Sequence, residues 1–584
     1  MKTHPVHELG TGAKVLLSSV FGPYAVDDAF GSRRINPMEL YHNQVTRAQG
    51  VFSLRMFHRS FGLLMIQANM DADCTVLDFP DRVRFVQEIQ RHQYDIVGIS
   101  AIIPNVAKVK KMCELVRTHL PRATIVVGGH IANLAGLDAI ISADYIVKGD
   151  GVNWFRQFLG QDAKKPVRHP LATSATSTRI LGHTLGQKKG DTAAIVIPSV
   201  GCPMGCNFCS TSALFGGKGK FVNYYETGDE LFAVMLQLEK KLKTHSFFIM
   251  DENFLLHRKR ALRLLELLEE HGKSWALYVF SSAGVLQSYT MDQLVRLGIS
   301  WVWMGLEGED SQYHKLKGVD TLALVTLLQS HGIRVLGSSI IGLENHTPEN
   351  IEQHIEYAVR HDTVFHQFML YTANPGTPLH DSLHKAGKLL PAEEIPLADS
   401  HGQFRFNHRH PHITGHQEEG FLLKAFNRDF ERNGPSLYRM IRVMLQGWQR
   451  YKDHPDSRIK SRYRREVQPL RATYAGAIWA MLHWFPRQTR LHEELAALLA
   501  ELYKTFGLAT RITAPLIGRY VYAAMTRETK RIKKGWTIEP ATSYLKQGAF
   551  TVAAAHASQS VPEASVSFSA KKRGDFSAPA TEHC

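Results

Sequence analysis

The chain has 584 residues, 21% of them charged and 44% hydrophobic, the balance of a soluble globular protein too long for one ordinary core. Six cysteines in such a length exclude a disulfide framework, and no apolar run is long enough to span a bilayer. A net charge of +15 leaves nucleic acid, an anionic membrane surface and acidic small molecules open as partners.

Met1-Lys2-Thr3-His4-Pro5 leads, without the apolar stretch of a secretion signal, into a short strand at Ala13-Lys14-Val15-Leu16-Leu17. The cytoplasm is the expected compartment. Residues 13–160 then alternate strand and helix. Asp95 to Ser100 reads as a buried strand, and Val106 to Leu120 as a helix with Val106, Val109, Met112 and Val116 on one face. The next strand, Ala123 to Val127, is followed at once by Gly128, Gly129 and His130. Asp144 to Val147 runs into Lys148-Gly149-Asp150-Gly151. This alternation predicts a doubly wound parallel sheet that binds ligands at its C-terminal strand ends. Glycines there let backbone approach a bulky ligand, although Gly-Gly is also an ordinary turn.

Thr192 to Pro198 is an apolar strand that feeds Cys202-Pro-Met-Gly-Cys206-Asn-Phe-Cys209, so three of the six cysteines fall within eight residues. Three thiolates this close can ligate three irons of a cubane cluster and leave the fourth open for a substrate. Structural zinc normally takes four protein ligands, and a disulfide would leave one thiol over. Further strands are expected at Ser246–Asp251, Trp275–Phe280, Trp301–Met304, Arg334–Gly337 and Phe365–Leu370, with leucine-rich helical patterns between them. Six strand–helix repeats predict a partial, open (β/α)6 barrel. The run Gly216-Gly217-Lys218-Gly219-Lys220 should delay the helix after Cys209.

From about residue 400 the pattern turns helical, to about Lys546. His408, His410, His412 and His416 could gather round a metal, but Pro411 breaks the helix and no acid or thiol adjoins, so a loop-organising role is preferred. Basic runs at Arg458–Arg465 and Arg527–Lys534 suit solvated helix faces; the C-terminal helices are preferred as caps on the barrel with snorkelling Arg and Lys, over an interface that sets the cations through Lys534 on lipid head groups. The Ala/Ser-rich end reads as disordered, with Cys584 a bystander. The expected units are 1–165, 185–400, 401–549 and a tail at 550–584.

The CxxxCxxC spacing on a loop leaving an apolar strand resembles the signature of the radical S-adenosylmethionine (SAM) superfamily. Gly98-Ile99-Ser100, the series Val126 to His130, and Val147 to Gly151 resemble, in order, the strand-end loops of the cobalamin-binding, flavodoxin-like domain that precedes many such barrels. Two departures stand out. Gly149-Asp150-Gly151-Val152 replaces the usual Gly-Glu-Gly-Glu, and the Asp-x-His-x-x-Gly lower-ligand motif is missing, since Asp78-Phe79-Pro80-Asp81-Arg82 holds no histidine.

The resemblance implies an α/β protein: a doubly wound cobalamin-binding-like domain, a partial barrel and a helical C-terminal region. Ser100, Gly128, Gly129, His130, Gly149 and Gly151 would lie on cobalamin, held without a histidine below it. Cys202, Cys206 and Cys209 would ligate a 4Fe-4S cluster, with Phe208 packed near the adenine of SAM. Asp251, Glu252 and Asn253 would grip the SAM amino group, Ser281 and Glu307 would meet its carboxylate and ribose, and Gly342 would back the adenine. The implied activity is radical modification, chiefly methylation, of an unactivated carbon in a small-molecule or lipid-like substrate, with electrons from a reductase, flavodoxin or ferredoxin. The alternatives are a cobalamin-independent enzyme for carbon–carbon coupling, cyclisation or methylthio transfer, and, least favoured, an iron–sulfur protein that binds nucleic acid.

Overall fold

A computed structural model describes residues 4–22, 30, 44–175, 177–185, 192–308, 316, 318–536 and 541–546. The expected disordered tail and Cys584 lie outside the described residues. The N-terminal sheet contains β1 (Lys14–Ser19), β2 (Asp73–Asp78), β3 (Ile96–Ser100), β4 (Thr124–Gly128) and β5 (Tyr145–Val147), parallel and ordered β2-β1-β3-β4-β5. The central strands are buried along most of their length because both sheet faces are covered. Leu16, Val97 and Ile125 meet helices Arg82–Arg91 and Val106–His119 on one side. Val15, Leu17 and Val126 meet Phe155 and Phe158 of helix Gly151–Phe158 on the other. The strand order reverses between β1 and β3, which opens a crevice at the C-terminal strand ends.

The second sheet runs β6 (Ala194–Val196), β7 (Ser246–Ile249), β8 (Ala276–Ser282), β9 (Ile299–Glu307), β10 (Arg334–Ile341) and β11 (Phe365–Leu370), all parallel and in chain order. Among the described residues β6 and β11 do not pair, so this is the open six-stranded barrel that the sequence predicts. Period-two patterning assigns its faces. Phe247, Ile249, Leu277, Val279, Val302 and Met304 pack into the core beneath the outer helices. Phe248, Tyr278, Phe280, Trp301 and Trp303 point the other way, into the lumen, and stay half-buried.

Helices Gln417–Asn433, Ser436–Tyr451, Ser457–Glu466, Thr473–Trp484, Arg490–Phe506 and Leu508–Lys533 form the C-terminal region. None of the described helices is long and apolar enough to cross a membrane. The basic run Arg458–Arg465 packs largely against the barrel, as the capping reading expects, with Arg464 exposed. Arg458 pairs with Glu269, buried Arg462 donates to the Val295 carbonyl, and Arg465 bonds Ser274. Glu466 at the helix end receives Arg334 (3.0 Å) and Ser300 (2.8 Å) from the N-terminal end of the barrel strands. This helix therefore plugs the barrel floor.

The expected helical stretch does not reach Lys546. It ends at Lys533, and β12 (Ser543–Lys546) returns to pair antiparallel with β2 at the edge of the N-terminal sheet. Ser-Tyr-Leu-Lys has ample strand propensity, but its partner lies more than 450 residues away, beyond any local pattern.

Candidate active site

The cysteine loop begins where β6 ends. Gly201 has φ +87°, and a Cβ on it would lie 2.8 Å from the Phe215 side chain. Only glycine lets the loop fold back onto the segment that follows it. Ser212 donates to the Cys202 carbonyl (3.1 Å), and Gly219 N–H donates to the Pro203 carbonyl (2.9 Å). The helix after Cys209 is not delayed: it starts at Ser210 and stops at Leu214, so the glycines end it rather than postpone it.

Burial pushes the Cys202 thiol up to about 11, with Cys209, Glu252 and Cys206 adding negative neighbours, and Cys209 is raised for the same reasons. Thiolates placed so need positive charge beside them. Among the described residues no three His, Cys, Asp or Glu side chains converge as single-ion ligands. A cubane takes each thiolate on a different iron, so cysteines that neighbour one another without converging fit a cluster better than zinc.

The expected SAM-gripping set separates into distinct roles. Asp251 is almost fully buried, and both its oxygens are occupied: by Ser199 (2.5 Å) and Arg260 on one, and by Asn253 N–H (3.1 Å) on the other. Asp251 therefore forms a buried ion pair with Arg260. Asn253 is also enclosed, donating to Ser282 (3.2 Å) and accepting from Ser281 (3.2 Å), so these side chains tie β7 to β8. Glu252 alone of the three keeps exposed surface, and its charge acts on Cys202 and Cys209. Surrounding protein and nearby Asp251 raise its carboxyl to about 7.

Glu307 ends β9 in the left-handed region (φ +49°), buried, where the register with β10 slips between Gly305 and Glu307. A non-glycine residue held there costs about 1–2 kcal/mol, a strain that concentrates at ligand sites. Gly342 (φ +79°) has a packing reason of its own: a Cβ would lie 2.2 Å from the Phe406 ring. Phe208 is half-buried beside Tyr371, ring centroids 6.2 Å apart. The histidine run organises a loop, as expected: His410 bonds the Leu343 carbonyl (3.1 Å) and accepts from His412 and Ile413 N–H.

The loops after β3 and β4, where the resemblance expects cobalamin, face the helix that follows the cysteine loop. Gly129 (φ +85°) follows β4, and a Cβ there would lie 2.7 Å from the Ala101 carbonyl oxygen and 3.0 Å from Ser100 Oγ, so the ends of β3 and β4 close to a backbone cradle. Asn105 and Asn133, on the loops after β3 and β4, each bury a side-chain oxygen with no protein partner. Orphaned acceptors at such a cradle fit a bound amide-rich group. Gly128 meets Val147 at ordinary contact distance, while Gly151 makes room for Ile66, its Cβ position 2.8 Å from that side chain. Asp150 between Gly149 and Gly151 caps helix Gly151–Phe158 and accepts from Tyr224 of the barrel (3.1 Å).

Two contacts seat this cradle on the cluster loop: Asn133 donates to the Ser210 carbonyl (3.1 Å), and His130 Nε2 meets Thr211 Oγ1 (3.3 Å). Burial keeps His130 neutral by lowering its pKa. Sequence reasoning missed Asn133, Thr211, Tyr224 and Arg260. Asn133 alone left a signal, as an amide four residues after the Gly128-Gly129 turn.

Comparison with known proteins agrees with this geometry. Residues 50–159 match the B12 binding domain and residues 196–358 the radical SAM superfamily. The chain is a radical SAM enzyme with a cobalamin-binding domain ahead of its barrel. Its cofactors are accordingly SAM, a 4Fe-4S cluster and cobalamin. It is 24% identical over 324 residues to an uncharacterised methyltransferase of Pyrococcus horikoshii, covering 50% of this chain and 70% of that protein. It is 24% identical over 348 residues to the hopanoid C-2 methylase of Rhodopseudomonas palustris, covering 56% of this chain and 65% of that one. The fold also superposes on the radical SAM methyltransferase TsrM from Kitasatospora setae, with TM-score 0.50 and 14% identity, over 78% of this chain and 99% of the other.

Proposed function

We propose that this protein methylates an unactivated carbon of an apolar, lipid-like or ring-shaped small molecule. The observation that supports the reading is the seating of His130 and Asn133 on the helix that follows Cys209, next to the loop that would hold the cluster. When bound, the cluster supplies the electron that cleaves SAM, and cobalamin supplies the methyl group.

The chain's own residues do the rest. Cys202, Cys206 and Cys209 hold the cluster, and Glu252 offers its carboxylate to the SAM ammonium beside it. Glu307 and the Asn253–Ser281–Ser282 network fix the strand ends that frame SAM. Across the lumen, Phe248, Phe280 and Trp303 stack in succession at 5.6 and 5.2 Å. Trp303 is locked by its Nε1–H on Ser338 (2.7 Å), whose hydroxyl donates to Gln367 (3.1 Å). A rigid aromatic wall suits a flat or hydrocarbon substrate and keeps water from a radical. The relative that methylates a hopanoid supports the same substrate class. The proposal includes a cytoplasmic setting, a flavodoxin- or ferredoxin-type electron donor and peripheral contact with an anionic membrane.

The test is anaerobic reconstitution with hydroxocobalamin, then incubation with methyl-labelled SAM and dithionite. About four irons and about one cobalamin should remain per chain after desalting, with SAM-derived label carried by the protein-bound cobalamin. Iron without retained cobalamin would sink the proposal.

A further inference from the structure

Helix Leu508–Lys533 buries one face and leaves another uncovered. Ala514, Gly518, Val521 and Met525 are buried, and Gly518 lies so close to helix Thr473–Trp484 that a Cβ would stand 2.3 Å from the Trp479 ring. On the outer side Leu508 (72% exposed), Ile512 (56%), Leu516 (60%) and Tyr520 (62%) follow one another at four-residue spacing. That spacing lays them in one stripe along the helix. Leu185 (42% exposed) belongs to the strand His183–Leu185 next to it, where the His183 ring lies tilted against Tyr520, centroids 4.9 Å apart. Of the twelve large apolar side chains exposed among the described residues, five lie on this helix, counting Tyr522. Scattered exposure would need no explanation, but a stripe does.

The charge beside the stripe identifies its partner. Arg511, Arg519, Arg527, Lys530 and Lys533 are exposed on the same helix. Its single acid, Glu528, is buried and bound to Arg179 at 2.7 Å. A water-exposed apolar stripe bordered by cations, on a helix with no exposed acid, has the composition of a helix lying in the plane of an anionic bilayer. Arg519 already shows the required posture, its guanidinium above the Trp479 ring at 5.9 Å and free to reach a phosphate.

We propose that the helix Leu508–Lys533 docks the enzyme on an anionic lipid surface, Leu508, Ile512, Leu516 and Tyr520 entering the acyl boundary and the arginines binding phosphate head groups. The purpose of this surface rests on the apolar-substrate reading, since a lipid-like substrate partitions into the same bilayer. The surface itself rests on exposure and charge.

The experiment is co-sedimentation of the reconstituted full chain with phosphatidylcholine vesicles, with and without phosphatidylglycerol. The protein should pellet with the anionic vesicles, far less with the neutral ones, and release as salt rises. Ile512→Asp with Leu516→Asp should abolish pelleting at unchanged iron content. Arg519→Gln with Arg527→Gln should weaken it about fivefold per cation, the fold-change for about 1 kcal/mol per basic residue. Failure to bind anionic vesicles, or binding that neither pair of substitutions alters, overturns the proposal. So does a dimer that dissolves in the aspartate variant without any vesicle binding, which would make a second copy the partner. SAM cleavage and cobalamin content measured on the same samples separate this outcome from failure of the methylation reading.

Discussion

The carboxylate of Asp251 and the guanidinium of Arg260 are both nearly inaccessible to solvent, and Arg260 also donates to the Tyr225 carbonyl at 3.1 Å. Removing one partner strands the other charge in a low-dielectric site, at a cost of about 3–5 kcal/mol. Asp251→Ala and Arg260→Ala should each lose about that much in guanidinium denaturation, whereas the double change Asp251→Asn with Arg260→Met should lose less than either. Strict additivity would show that Asp251 acts through ligand contact instead. A second residue-scale expectation concerns pH. His366 is buried between Thr363 and Ser339, each 3.0 Å away, and burial lowers it to about 3. His169, whose Nε2 accepts from Ile197 N–H (3.0 Å) just before the cysteine loop, is lowered to about 4 by the same cause. In the unfolded chain both titrate near the usual value of about 6.5, so between about pH 6.5 and 4 the unfolded state binds more protons. Stability is therefore full above that range and falls with acid, by up to about 1.4 kcal/mol per pH unit for each group. Thermal melts from pH 7 to 4.5 should show the decline, and His366→Gln should flatten it. An unchanged slope in that variant would remove His366 from the account.

Between elements, what the sequence disclosed followed local periodicity. The six barrel strands and their order were readable because apolar strands alternate with leucine-rich helices, each pairing with its neighbour in the chain. The doubly wound parallel sheet followed from the same alternation, its flavodoxin-like character from the family resemblance, and the cysteine cluster from its spacing. The Asp251–Arg260 ion pair was not legible, because Arg260 sits inside a helix whose pattern reads only as amphipathic. β12 escaped for the opposite reason: four residues with no neighbouring turn or repeat gave no signal, and the partner strand is distant in sequence. Its contribution can be measured. The register Tyr544↔Leu77 and Leu545↔Val76 covers the outer edge of β2, and Gln67 donates to the Leu545 carbonyl at 2.8 Å. Truncation before residue 541 should leave iron content intact yet raise hydrogen exchange at the β2 amides pointing away from β1 by about tenfold or more. Unaltered exchange would mean that the strand pairing does not hold in solution.

The whole molecule is tied together at places that bear on both cofactors. β12 carries the chain's C-terminal side back into the N-terminal sheet, Glu466 closes the barrel floor, and Asn133 is pressed from above by Gly376, whose Cβ position would lie 2.9 Å from the Asn133 carbonyl oxygen. Asn133 and His130 bond the helix that leaves the cluster loop, and Asp150 accepts from Tyr224 of the barrel. Opening either site then disturbs the other, and the two cofactors should leave the protein together. During anaerobic heating of the reconstituted enzyme, the visible bands of cobalamin and cluster should be lost at one temperature. Asn133→Ala combined with Thr211→Ala removes two of the shared bonds, at about 0.5–1.5 kcal/mol each. For domains of this size that separates the two losses by about 2–12 °C. Two well-resolved losses in the unmodified enzyme, or no separation in the variant, would mean that the domains are joined by the chain alone and that the spacing between the cofactors is set only when substrate arrives.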